Sequence, residues 1–302
     1  MLDRASTFAD PRIVQLLKTR FVPVAIDQAY QRRQKDNEGE FYRKLAGQGP
    51  RADFKNTTQG LYIGTAGGRL LAYNNNRGPD RILRLMGKAL EEYDTEFGES
   101  PEEVEEIETG KRDERYSPTP PAGGLVIRVN AQVLGGYEET ENRWERMFQD
   151  AISRDNLWIT RAEHQALVAG RTPESLARRI ARFHLVDNTR GEPPMWRDSE
   201  IESVQLTITD GQLSGRVSLK TASGDRGYEC TLSGVVEVND QRVTRFDLVA
   251  KGEFWGEGRY TPGAPKGKFP LAVAFRLADG SDVADPIPPQ GSRGWVKGYI
   301  AE

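Results

Sequence analysis

Cysteine is all but missing: Cys230 is the only one in 302 residues. One thiol excludes an internal disulfide framework and a thiolate-rich metal centre. Histidine is nearly as scarce, with only His164 and His184. They fall in separate helical patterns with no carboxylate doublet nearby, so no metal site is predicted. No segment reaches the roughly 20 consecutive apolar residues of a membrane helix. Met1 to Asp10 has neither a basic start nor an apolar core, which predicts a cytoplasmic protein or one exported after removal of a leader. The net charge of -3 is too small for the whole molecule to be drawn to nucleic acid or anionic lipid. The glycine pairs Gly67-Gly68 and Gly123-Gly124 lack the spacing of a phosphate loop opening a helix, so no nucleotide cofactor is expected.

What is present divides the chain into three parts. The first, 1–97, mixes helix and strand patterns. Asp10-Pro11 is a helix start, with a capping carboxylate and proline at the first helical position. Ile13, Val14, Leu16 and Leu17 follow as an apolar stripe. Phe21 to Ile26 is a mostly apolar run, the pattern of a buried parallel strand. Glu38–Ala46 reads as a short helix and Pro79–Tyr93 as a longer one. Between them, Gly60–Thr65 and Arg69–Tyr73 form a hairpin across Gly67-Gly68. The second part, 98–123, is a linker. Twelve acidic residues fall between Glu91 and Glu114, followed by Ser117-Pro118-Thr119-Pro120-Pro121, and such a segment buries too little apolar surface to order itself. An extended or mobile connector is expected there.

The third part, 124–302, begins with a strand at Leu125–Leu134. Three helical patterns follow. Trp144, Met147, Phe148 and Ala151 share one face, Thr160-Arg161-Ala162-Glu163 is a capping box, and Thr172-Pro173-Glu174 caps a helix running through Phe183. From Ile201 onward about six strands alternate apolar and polar residues, with turns at Asp210-Gly211 and Asn239-Asp240. Glycines 252, 256 and 258 are placed to bend a strand. The expected fold class is α+β, with an antiparallel β-barrel or sandwich packed on one side by helices.

The run Thr7-Phe8-Ala9-Asp10-Pro11 through Leu17, leading into Phe21-Val22-Pro23-Val24-Ala25-Ile26-Asp27, resembles the thioredoxin-like family. It matches the helix and second strand that follow the redox motif in members with an F-x-D-P turn. The resemblance spans roughly 85 residues and implies a thioredoxin-like α/β module for 1–97, minus its first strand. Two departures bear on function. The family's Cys-x-x-Cys, where a helix start lowers the thiol pKa, has no counterpart before Cys230. The family's cis-proline position reads Thr57-Thr58-Gln59-Gly60. Together they point to a redox-inactive scaffold used for binding.

Candidate chemistry therefore lies after residue 124. Arg178, Arg179, Arg182 and Arg190 surround His184 and precede Trp196. Such a cluster suits a carboxylate or phosphate, or is a solvated helix face whose arginines pair with local acids. Trp255 and Tyr260, set among glycines, could line a barrel mouth for a small ligand. Glu253 and Glu257 share a strand face, where exposed carboxylates are the commoner case and an acid–base pair the sharper one. Cys230 is placed on a core face with Tyr228 and Leu232, where a thiol is inert. The candidate binding residues are Arg182, His184, Arg190, Trp196, Trp255 and Tyr260, with no catalytic residue. The leading reading is a two-domain binding or interaction module with a small-molecule or protein ligand. One rival is a thiol–disulfide oxidoreductase whose motif lies upstream of Met1. The other is an enzyme or ligand carrier using a pocket in the C-terminal β domain.

Overall fold

The computed structural model describes residues 2–98, 102–104 and 110–301. The chain divides into two compact units. A helical unit comprises Ser6–Pro118 with Arg293–Trp295, and a β unit comprises Met1–Ala5, Thr119–Ser292 and Val296–Glu302. The first turn, α1 (Leu2–Ala5), belongs to the β unit, where Leu2 packs with Met147 and Ala151.

In the helical unit, α2 (Pro11–Thr19) starts where Asp10 accepts a hydrogen bond from the Arg12 N–H. The hydrogen-bonded Arg12 guanidinium holds the Asp10 carboxyl down to about 2. After a short turn, α3 (Gln28–Gln31), Asp36 caps α4 (Asn37–Ala46) by accepting from the Gly39 N–H at 3.2 Å. The hairpin of β1 (Leu61–Gly64) and β2 (Leu70–Asn74) turns through Gly68, whose φ of 83° suits glycine. Proline at the first position then opens α5 (Pro79–Phe97). Ile13, Ile63, Ile82, Met86 and Ala89 meet in one apolar core.

Phe21–Ile26 departs from its expected role as a buried strand. It belongs to no helix or strand, and Val22 is 89% and Val24 77% exposed. The only sheet of the helical unit among the described residues is β1–β2, whose strands pair with each other. An apolar run becomes a buried strand only beside a neighbour that takes up its N–H and C=O groups, and among the described residues none is supplied. The expected connector, 98–123, is described in part. Residues 99–101 and 105–109 lie outside the described residues, but 110–118 are tied into the helical unit. Asp113 accepts from the Lys35 N–H at 2.8 Å, and its own N–H donates to Asp36 at 2.9 Å. Paired acids of this kind satisfy backbone donors, which composition alone does not reveal.

The β unit is built on one antiparallel sheet of seven strands. They are β3 (Leu125–Val133), β4 (Asp155–Ile159), β5 (Ile201–Thr209), β6 (Gln212–Lys220), β7 (Gly227–Asn239), β8 (Arg242–Trp255) and β9 (Lys268–Leu277). Their spatial order is β4-β3-β9-β8-β7-β6-β5. Five strands rather than six follow Ile201, and β3 and β4 complete the sheet. Asp210-Gly211 and Asp240-Gln241 make two-residue turns with both residues at positive φ, the geometry that matches strand twist.

The sheet curls into a half-barrel and does not close, since β4 and β5 remain its two edges. Glycines allow the curl. At Gly252 a Cβ would land on the Glu229 carbonyl and lie 2.6 Å from Cys230 Cα, so β7 approaches closer than any side chain permits. Helices α6 (Arg143–Asp150), α7 (Arg161–Val168) and α8 (Glu174–Arg179) connect β3 to β5. The last of these runs into a wider, π-helical turn at Ile180–His184, and α9 (Val296–Ile300) ends the chain. Leu167, Leu176, Ala177, Ile180 and Phe183 fill one core with the inward residues of the sheet, including Leu213, Val217, Leu232, Phe246 and Phe275. The unit is thus a mixed helix-and-sheet structure in which helices pack on the inward residues of the sheet.

Candidate functional site

The six residues singled out from the sequence do not share one pocket. His184 lies at the end of the π-helical turn and is 2% exposed. Its Nε2 is 2.6 Å from the Tyr299 hydroxyl, and its Nδ1 is 3.2 Å from Asp155 Oδ2. Asp155 is anchored in turn by the N–H groups of Asn156 and Gln290, at 2.8 and 2.9 Å. Burial pushes the Tyr299 phenol well above its ordinary pKa. An Asp–His–Tyr chain can move a proton when a substrate reaches it. Here all three side chains are buried and none borders the groove described below. Its evident work is to fasten α9 to the core.

Arg190 is 3% exposed and neutralised by Asp187 at 2.6 Å. It also donates to the Tyr137 hydroxyl at 3.0 Å. Arg182 donates to the Trp196 carbonyl at 3.1 Å and pairs with Asp198 at 3.3 Å. Trp196 is buried, donates to the Leu185 carbonyl at 2.8 Å, and carries the Arg226 guanidinium 3.9 Å from its ring centre. Trp255 donates to the Gly224 carbonyl at 3.0 Å and has the Lys268 ammonium over its ring at 4.6 Å. Tyr260 is 63% exposed. Glu253 faces Lys268 at 3.7 Å, whereas Glu257 accepts from the Ala264 N–H, so the two carboxylates act separately. Cys230 is buried, and that burial pushes its thiol up to about 12.

Sequence reasoning missed a buried ion pair. Arg179 is 1% and Glu163 5% exposed, and they meet through two bonds at 2.8 and 2.9 Å. Burial would raise the Glu163 carboxyl, but Arg179, the Thr160 N–H and the Ser175 hydroxyl outweigh it and hold the pKa below 4.5. Arg179 also donates to the carbonyls of Tyr299 and Ile300 at 3.0 and 2.9 Å. The capping box at Thr160–Glu163 was the visible half of this arrangement. Tyr299 lies 115 residues from His184 and gives no local signal.

One open feature of the β unit lies beside β5. A groove of about 720 Å³ runs between Thr172, Glu174 and Ala177 on one side and β5, β6 and Leu232 on the other. That volume is in the range of ligand sites, about 300–1,000 Å³. Val204, Leu206 and Leu232 give it an apolar wall, and Arg216 and Glu174 are its charged members. The Thr172 hydroxyl oxygen is buried at this groove with no hydrogen-bond partner.

In the helical unit the open feature is Phe21–Ile26. Among the described residues, no group donates to or accepts from these six residues. No family model matches this chain, and no curated protein or solved structure does.

Proposed function

We propose that this chain is an interaction module, a redox-inactive thioredoxin-like unit carried with a β half-barrel, that engages a protein partner by strand pairing at Phe21–Ile26. The observation that carries this reading is the exposure of that segment. Val22 to Ile26 are exposed, Val22 and Val24 at 89% and 77%, while Phe21 reaches back onto the apolar core, and among the described residues no backbone group of the six is paired. Exposed apolar surface with open backbone groups marks a binding site more often than a defect. Pro23 gives the segment a sidedness. In a strand, Val22, Val24 and Ile26 direct their N–H and C=O groups to one edge, and that edge keeps every donor. The opposite edge lacks the donor at Pro23. A partner strand therefore pairs along the Val22–Val24–Ile26 edge. The thioredoxin-like part of this reading rests on the sequence resemblance; helices α2 and α4, hairpin β1–β2 and helix α5 follow in the order it implies, whereas segment 21–26 is not a strand.

The reading is tested by placing a photo-crosslinking amino acid at position 24 in the cell of origin. Val283 in the β unit, 93% exposed, provides the control position. One discrete adduct from position 24 and none of that mass from position 283 is the expected result. The same smear from both positions, or no adduct from position 24, would sink the proposal.

A second reading rests on the same exposed segment. The pairing strand is supplied in cis by a longer form of this chain, carrying the Cys-x-x-Cys that the family resemblance implies. The intact mass and thiol count of the protein from its native source separate the two readings. A greater mass with a second and third thiol supports the longer oxidoreductase. A mass equal to this chain, with one thiol, supports the interaction module.

A further inference from the structure

The two edges of the seven-stranded sheet are treated differently. Every residue of β4 is buried, and Asn156 at that edge donates to the carbonyls of Ala284 and Ile287, both at 2.8 Å, binding a loop over it. Among the described residues no loop is hydrogen-bonded over β5, and its outward residues Ser203, Gln205, Thr207 and Thr209 are exposed. The turn at Asp210-Gly211 fixes which groups are free. In a two-residue hairpin the flanking residues, here Thr209 and Gln212, form a hydrogen-bonded pair, and such pairs recur at every second residue. Thr207 and Gln205 therefore bond to β6, and Val204, Leu206 and Ile208 direct their N–H and C=O groups to the open edge.

Natural edge strands are usually protected by lysine, proline or an inward charge. Ser203 to Thr209 contains none of these. The groove with the unpartnered Thr172 hydroxyl lies alongside this edge, and its wall at Val204, Leu206 and Leu232 is apolar. On the outer face Arg216 and Lys220 on β6 have no acidic partner among the described residues; Glu202 accepts from the Ser218 hydroxyl at 2.7 Å, and Glu229, opposite Ser218, pairs with Lys268 at 3.0 Å.

We propose that the β5 edge and its groove bind an extended peptide segment as an eighth strand, with apolar side chains turned into the groove and acidic side chains on the outer face toward Arg216 and Lys220. Backbone bonds to Val204, Leu206 and Ile208 supply the pairing. Alternation supplies the selection: Arg216, which lies opposite the outward Gln205 and also borders the groove, and Lys220 favour an acid on the outer face, whereas an inward acid meets Glu174 and an apolar wall. This site is separate from the Phe21–Ile26 segment and does not depend on its role.

The test uses the full chain and three fluorescent eight-residue peptides: alternating valine and glutamate, alternating valine and lysine, and the first peptide with alternate backbone nitrogens methylated. The glutamate peptide is expected to bind about tenfold or more tightly than the lysine peptide, and the methylated one not at all. Amide resonances of Val204, Leu206 and Ile208 shift on binding. Arg216→Glu, an exposed change, reverses the charge preference. Ile208→Pro removes an edge donor without breaking the ladder to β6, and it abolishes binding. Equal affinity for the two charged peptides, or shifts confined to residues away from β5, would overturn the proposal. So would a concentration-dependent dimer that Ile208→Pro disperses, since that makes a second copy the occupant.

Discussion

Replacing Glu163 with alanine is expected to destabilise the β unit by about 3–5 kcal/mol, because a buried arginine is left without its counter-charge. Arg179 is 1% exposed, and its guanidinium is otherwise met by carbonyls of Trp158, Tyr299 and Ile300. Those carbonyls orient the charge but do not neutralise it. The measurement is the urea midpoint of the variant against the parent. Glu163→Gln separates charge from shape: it keeps the volume and some hydrogen bonding, so its loss should be smaller than that of alanine. The sign of the pH effect follows from the lowered carboxyl. Because the folded state holds Glu163 below 4.5, the unfolded chain binds the proton first and stability rises with pH. The contribution is fully present above 4.5 and is lost as pH falls through the lower folded value. Glu163→Gln should therefore flatten the acid side of the stability profile. An alanine variant with the parent's midpoint would mean that Arg179 and Glu163 do not pair in the folded protein.

Gly252→Ala should cost about 3 kcal/mol, at the upper end for overpacking by one methyl. The new Cβ would fall on the Glu229 carbonyl and within 2.6 Å of Cys230 Cα, both backbone atoms of β7 in the middle of the sheet. No flexible side chain is there to give way, so two strands must separate. Gly87 is the opposite case. It lies inside α5, and nothing approaches a Cβ there within 4 Å. Gly87→Ala should stabilise the helical unit by about 0.5–1 kcal/mol through helix propensity. Thermal unfolding of both variants checks the pair. A Gly252→Ala protein as stable as the parent would mean that β7 and β8 do not approach this closely in the folded protein.

Local signals in this sequence translated well into local structure. Asp10-Pro11 does start a helix, Thr160–Glu163 does form a capping box, and Asp210-Gly211 does turn a hairpin, because each is decided by residues within one turn. Alternation also located the strands after Ile201, since one face of each must be buried. What stayed hidden depends on distant partners. Phe21–Ile26 reads as a core strand by composition, but burial of a strand is conferred by its neighbours, and among the described residues none pairs with it.

The arginine cluster was legible as charge and illegible as chemistry. Arg179, Arg182 and Arg190 each found a different acid, Glu163, Asp198 and Asp187, at separations of 16, 16 and 3 residues. His184 found Asp155 and Tyr299 on opposite sides in sequence. These are the rival pairings with local acids, realised in the core for Arg179 and Arg190 rather than on a solvated face. The groove at β5 had no sequence signal of its own, because it is defined by which strand lies at the edge, a property of topology.

The central claim is that the backbone of Phe21–Ile26 is open for strand pairing rather than already paired, and amide hydrogen exchange of the purified chain tests it most directly. Val22, Val24 and Ile26 are predicted to exchange at rates close to those of a free peptide, while Ile127, Val129 and Ala131 in β3 exchange only through larger openings. Protection of Val22, Val24 and Ile26 matching that of β3 would show that the segment already has its partner, and would contradict the account.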